Sequence, residues 1–256
     1  MRATHRNTCF VASSVLVVSL AVGCARTPEP GRAFYYWRTV FTLSEAERAA
    51  LRDDRVARLY VRFFDVVNEG SSGKAWPVGR IAFHDPLPKG VEVVPVVFIA
   101  NQVLQAKPDT SDLAAKVWTL VSSTARDAGA PFSELQVDCD WSDGTRDAFF
   151  AFCRALRACC LAGHARLSAT IRLHQVKYKG RTGVPPVDRG ALMFYNTGRI
   201  TAKGGRCSIF NAEDAARYTS FLESYPLPLD VALAVFSCLS AAAEKRVNAV
   251  LGTGER

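Results

Sequence analysis

The sequence predicts an α/β fold with the strand and helix alternation of a (β/α) barrel, incomplete or irregular at its C-terminal strand. Three observations predict it. Strand-like and helix-like segments alternate along most of the chain. VEVVPVVFIA, residues 91–100, is almost wholly apolar, as suits a strand buried on both faces of a parallel sheet. ELQVDCDW, residues 134–141, brings Asp138 and Asp140 to a strand end just before an amphipathic helix, where α/β barrels carry their chemistry.

In order, AFYYWRTVF opens with an aromatic strand at 33–38, and LSEAERAALRDD follows as a helix capped by Ser44. ARLYVRFFDVV is the second strand, near 58–66. NEGSSGKAWPVGRIAFHDPLPKG is rich in Gly and Pro and reads as a long loop with a short strand at 81–83. After the apolar third strand, SDLAAKVWTLVSSTARDAG places Leu113, Val117, Leu120 and Val121 on one helical face. ELQVDCDW is the fourth strand and TRDAFFAFCRALRACCLAG its helix; RLSATIRL and ALMFYN are the fifth and sixth, separated by the loop VKYKGRTGVPPVDRG. NAEDAARYTSFLESY is a helix opened by Asn211, and PLDVALAVFS is a seventh strand. Only a helix-like stretch and a polar tail follow, so the eighth strand of a closed barrel is missing or misread. An open doubly wound sheet is the competing topology, but the chain has no glycine-rich phosphate or dinucleotide motif.

The first residues join Arg2 and Arg6 to an apolar stretch from Phe10 to Val22, too short and too interrupted by small polar residues for a membrane span. This is the pattern of an export signal over residues 1–23. Small residues directly before Cys24 resemble the bacterial lipoprotein processing site, with Cys24 as the lipid-bearing residue; an ordinary secretory signal that merely contains a cysteine is the plainer alternative. Residues 24–32 then form a short polar tether, and 33–256 the barrel domain. The expected location is the bacterial membrane, anchored and facing the periplasm or exterior.

The formal charge is +8, and +6 once Arg2 and Arg6 are removed with the signal. No run of Lys and Arg interleaves with aromatics, which argues against a nucleic-acid partner. Beyond Cys9 and Cys24, the cysteines at 139, 153, 159, 160, 207 and 238 show no zinc-knuckle spacing and read as buried small hydrophobes rather than a disulfide framework. No serine nucleophile elbow, HExxH helix or cofactor motif is present, and neither a metal nor a cofactor is expected. The oligomeric state is left open.

FYYWR at 34–38, LYVRFFDV at 59–66, ELQVDCDW at 134–141, LSATIRLHQVKY at 167–178, GVPPVDRGALMFYNTG at 183–198 and YPLPLDVALAVFS at 225–237 together resemble an uncharacterised family of bacterial exported lipoproteins related to glycoside-hydrolase-like barrels. The resemblance spans nearly all of the mature chain and implies a TIM-like barrel with its acid at the end of the fourth strand. It also implies a departure: the chitinase-like run of alternating acids closes with a glutamate as proton donor, whereas this run ends at Asp138, Cys139, Asp140 and Trp141.

Asp138 and Asp140 are the expected catalytic pair. One carboxyl protonates the leaving oxygen of a glycosidic bond while the other activates water or stabilises positive charge at the sugar carbon. The structural alternative gives one acid to a barrel salt bridge with Arg62 and the other to capping the following helix. Arg62, on the face of Tyr60 and Phe64, either neutralises Asp138 or holds a substrate acid, and Asp65 reads as a loop anchor. His174 and Gln175 leave the fifth strand together, where an imidazole and an amide can bind sugar hydroxyls. Tyr36, Trp141, Tyr195 and Asn196 sit near strand exits, where aromatic faces stack on sugar rings and Tyr and Asn read hydroxyls. The function expected is hydrolysis of an envelope or extracellular glycan by carboxylate acid and base chemistry. Its rival is a noncatalytic lipoprotein that binds carbohydrate or protein at a degenerate barrel site.

Overall fold

The computed structural model describes residues 31–70, 73–195 and 211–234, in a compact unit that begins at Gly31. Cys24, Asn196, Cys207, Cys238 and the export segment lie outside the described residues, as does everything after residue 234. Seven parallel strands form one sheet: β1 (Arg32–Tyr36), β3 (Val56–Glu69), β6 (Glu92–Ile99), β7 (Glu134–Asp138), β8 (Arg166–Arg172), β9 (Arg189–Met193) and β10 (Leu229–Ala232), neighbours in that order. β4 (Lys74–Val78) runs antiparallel to the end of β3, while β2 (Val40–Phe41) and β5 (Ala82–Phe83) make a small separate parallel pair.

Among the described residues β1 and β10 are the unpaired ends of the path, so the sheet is a curled, open half-barrel. Side-chain bonds show how strongly it curls. The Tyr35 hydroxyl on β1 donates to Gln136 Oε1 on β7 at 2.7 Å, reaching over two intervening strands.

The outer face carries the main core. Val61, Phe63, Val97, Leu135, Val137, Leu167, Ala169 and Ile171 are fully buried there. They pack with α2 (Asn101–Gln105) through Val103 and Leu104, with α3 (Thr110–Asp127) through Leu113, Val117 and Val121, and with α4 (Arg146–Ala162) through Phe149, Phe152 and Leu156. Both α3 and α4 have their apolar residues at helical spacing, which is what lets one stripe lie on the sheet. Ends are fixed locally: Ser44 and Glu47 form a capping box on α1 (Glu45–Asp53), Asp109 caps α3, and Asn211 caps α7 (Ala212–Leu222).

The concave face is lined by a second, smaller apolar group, Tyr60, Val94 and Val96 with Tyr35. Charged residues sit at both ends of it. At the N-terminal ends of the strands, Arg58 joins Glu92 at 2.8 Å and Glu134 at 3.7 Å, while Arg189 lies 3.8 Å from Glu134 and pairs with Asp230. Alternating signs thus cross from β6 to β10, which keeps the buried Glu134 carboxylate between two cations.

β3 carries a bulge between Arg62 and Phe64. Arg62 is opposite the concave residue Val96, whereas Phe63 and Phe64 both enter the outer core and Asp65 returns to the concave side. Strict alternation from Arg62 keeps Phe64 on its face; the extra residue moves Phe64 to the outer face and brings Asp65 to the face of Arg62. Two further differences concern element ends. β7 stops at Asp138, and the segment expected as loop after β8 contains the short helices α5 (Leu173–Lys177) and α6 (Lys179–Thr182).

Candidate functional site

The strand exits of β7, β8 and β9 bring together the acids at 138 and 140, Thr170, Arg172 and Tyr195. Gln136, Asp138 and, across the register, Ser168 and Thr170 face the same side because residues two apart on a strand share a face. Asp138 Oδ1 accepts from the Thr170 hydroxyl at 2.6 Å and from an Arg172 guanidinium nitrogen at 3.0 Å. The Arg172 Nε donates to Asp140 Oδ1 at 2.5 Å. One cation therefore spans both acids.

Asp138 is buried, whereas the Asp140 side chain is 62% exposed. Burial pushes the Asp138 carboxyl above the ordinary aspartate range; Arg172 and Thr170 oppose the shift, and the nearby charges of Asp140 and Asp65 add to it. For Arg172, burial disfavours the cation, but Asp138 and Asp140 together outweigh it and raise its pKa. Tyr195 Oη contacts Met193 Sδ at 3.3 Å, and burial raises its phenol pKa against the pull of Arg172.

The salt bridge expected between Asp138 and Arg62 is replaced by the one to Arg172. Arg62 instead closes on Asp65, with Nε 2.6 Å from Oδ1 and a second contact from its terminal nitrogen to Oδ2. The bulge is the reason, since it sets residues three apart on one face. Neither acid caps α4; its N-cap is Thr145, whose hydroxyl accepts from the Ser142 amide at 2.9 Å and donates to Asn101 Oδ1 at 2.6 Å.

Three of the expected ligand-binding side chains lie away from this cluster. Tyr36 points into the outer core, its hydroxyl 2.6 Å from the Val40 carbonyl and 2.9 Å from that of Thr42. Trp141 is buried, stacked on Phe149 at 4.8 Å, with its indole nitrogen donating to the Thr182 carbonyl at 3.1 Å. Gln175 is fully buried and accepts the Arg172 amide at 2.7 Å, so it ties off the start of α5. His174 is exposed on α5; partial desolvation lowers its pKa and the nearby Asp140 counteracts. Asn196 lies outside the described residues.

Other residues occupy the concave side. Tyr35, not Tyr36, faces inward: its ring stacks on Tyr60 at 4.9 Å and on Trp37 at 6.0 Å with only 6° between planes. Trp37 is 44% exposed, so the stack runs from an open indole into the half-barrel. Burial pushes the Tyr60 phenol up to about 12 and holds that of Tyr35 well above its ordinary value. Arg172 and Thr170 were legible as alternate positions of RLSATIR, in phase with one another and with Ser168. One alternate position beyond Asp140 stands Ser142, whose amide is used in the turn into α4.

Four cysteines, at 139, 153, 159 and 160, are free thiols, and burial raises the pKa of Cys139, Cys153 and Cys160. Among the described residues no group of three or more His, Cys, Asp and Glu side chains is arranged to hold a metal ion, and no helix is long and apolar enough to cross a membrane.

The fold is thus α/β, a curled and open half-barrel of parallel strands with a polar cluster at the strand exits, consistent with an incomplete TIM-like barrel. The C-terminal domain of a putative chitinase from Desulfitobacterium hafniense DCB-2 superposes with a TM-score of 0.53 at 11% identity, over 79% of this chain and 66% of that one. The spore cortex-lytic enzyme SleL of Bacillus megaterium QM B1551 gives 0.52 at 12% identity, over 86% of this chain and 58% of that one. The chain thus spans less than two thirds of each of these two structures, and the likeness is one of fold. No family model matches the chain, and no curated protein matches it.

Proposed function

We propose that this chain is an exported, lipid-tethered barrel that binds an N-acetylhexosamine glycan of the envelope or exterior at its strand exits without hydrolysing it. The observation that carries the reading is Arg172. Acid and base catalysis of glycosidic cleavage needs one carboxyl free to hold a proton for the leaving oxygen and a second free to meet water or the sugar carbon. Here a single guanidinium binds both acids, at 3.0 and 2.5 Å, and Ser142 stands where the acidic alternation ends. The Trp37–Tyr35–Tyr60 stack supports the binding half of the proposal, because aromatic faces pack on the apolar faces of sugars and the Trp37 indole at its end is open to solvent. Lipidation at Cys24 and the location that follows from it rest on the sequence pattern.

A second reading, hydrolysis with Asp138 as proton donor, is favoured by one observation: burial raises the Asp138 pKa, as a general acid requires. Chitohexaose separates the two. Binding followed by tryptophan fluorescence should saturate, while reducing ends appear no faster than in a blank. Turnover that falls at least tenfold in Asp138→Asn at parental stability assigns hydrolysis instead, and absence of any saturable binding removes the glycan. For the anchor, cells given labelled palmitate should mark the parental chain and leave Cys24→Ala unmarked.

A further inference from the structure

β3 outruns the sheet. Its pairing with β6 ends at Val66 and Ile99, yet it continues to Glu69 with β4 folded back along it. Asp65 and Val66 each pair with β4 and with β6 at once, so the two neighbours occupy opposite edges of β3. β4 therefore lies on the same edge as β1, whose pairing with β3 ends lower down, at Tyr36 and Val61.

Cross-strand partners share a face. Val78 is opposite Asp65 and Trp76 opposite Val67, which puts both apolar side chains on the concave side with Asp65. Arg62 fixes the root of the hairpin, for its terminal nitrogen lies 2.7 Å from where a Cβ on Gly79 would stand. Trp76 is 53% exposed, and Val78 beside it is exposed as well. From the level of Tyr35 and Tyr60 to that of Val67 and Trp76 the strand climbs roughly 20 Å at the ordinary rise per residue. Along one edge of the half-barrel, then, come Tyr60, Tyr35 and Trp37, followed by Val78 and Trp76 on the projecting hairpin.

We propose that Trp76 is a second sugar-stacking platform, so that the site takes an extended glycan several rings long rather than a single sugar or a disaccharide. The proposal rests on the glycan-binding reading above. An indole offers the flat apolar area that a pyranose face covers, and a Trp left half open on an edge strand beside a polar pair has surface to give to such a ligand. A ring further along the glycan than those on the Trp37 stack would be held by Trp76, with Arg62 and Asp65 beneath to meet hydroxyls.

The test compares N,N′-diacetylchitobiose with chitohexaose by isothermal titration, using the parental chain, Trp76→Ala and Trp76→Phe, with thermal unfolding as the control for folding. Trp76→Ala should weaken the hexamer about tenfold and the dimer less than about twofold, and Trp76→Phe should restore most of the hexamer affinity. Parental affinity of Trp76→Ala for the hexamer, or equal losses for both lengths, overturns the platform while leaving glycan binding in place. If the parental chain binds neither length, the glycan reading fails and the platform with it.

Discussion

Thr170 on β8 donates its hydroxyl to Asp138 on β7 at 2.6 Å, and both residues are buried within the half-barrel. It favours the charged carboxylate, while burial of the same group favours the protonated one. The acid at the centre of the site is thus held between opposing influences, and burial prevails.

Stability should report that balance. The folded pKa of Asp138 is raised, so the folded state holds the proton to higher pH than the unfolded chain does. Its favourable contribution is complete below the ordinary aspartate value of about 3.9 and is lost as pH rises through the folded value. Urea unfolding of the parental chain and Asp138→Asn should therefore show the parental advantage shrinking across this window and levelling above it. An advantage that grows with pH contradicts the assignment. Thr170→Val, which removes the donor, should shift the window upward and lower neutral-pH stability by about 1–3 kcal/mol.

Arg172 and Asp140 should differ sharply as mutants. Arg172→Gln strands a buried carboxylate and should cost roughly 3 kcal/mol. Asp140 is mostly in solvent, and Asp140→Asn should cost under about 1 kcal/mol. Chemical denaturation at neutral pH checks the order, and comparable losses would mean that the cation serves Asp140 rather than Asp138.

Gly79 has φ +58° and faces the Arg62 guanidinium. Gly79→Ala meets strain from the backbone and a close contact with Arg62, for a loss of about 1–2 kcal/mol. It should also loosen the Arg62 and Asp65 pair, visible as a changed Arg Nε resonance by NMR. An unshifted resonance with parental stability would show that the hairpin root adapts freely.

Trp141 and Trp37 invite opposite outcomes. Trp141→Ala opens a cavity against Phe149 and should cost about 3–5 kcal/mol, whereas Trp37→Ala should leave stability within about 1 kcal/mol and weaken chitohexaose binding about tenfold. Calorimetry and titration on the same samples read both.

The alternation of strands and helices was legible because burial on both sheet faces leaves nearly continuous apolar runs such as VEVVPVVFIA. The caps at Ser44 and Asn211 were legible because their chemistry is local. The site was harder to read. Asp138, Asp140 and Tyr195 do gather at strand exits, but the residue that links them, Arg172, comes from the next strand and is named by no local motif. Tyr36 and Tyr35 are neighbours with opposite faces, and only the pairing of β1 with β3 decides which enters the half-barrel. ELQVDCDW alternates as one strand through Trp141, but β7 ends at Asp138, and the chain then turns the indole onto α4. Gln175 was expected at an open strand exit, but a short helix begins there and takes it inside.

The bulge at Phe63 has a consequence for how the gene can change. Two consecutive phenylalanines occupy outward positions, so losing Phe63 would leave Phe64 to serve for both, with Arg62, Asp65, Val67 and Trp76 still on their present sides. Losing Val61 instead would, even with the bulge straightened to absorb it, turn Arg62 outward and Phe63 inward and so part Arg62 from Asp65. Within this long strand, tolerance to a single-codon deletion is therefore concentrated at the Phe63–Phe64 pair, either of whose codons can be lost to the same effect, and the orientation of the whole projecting hairpin depends on it.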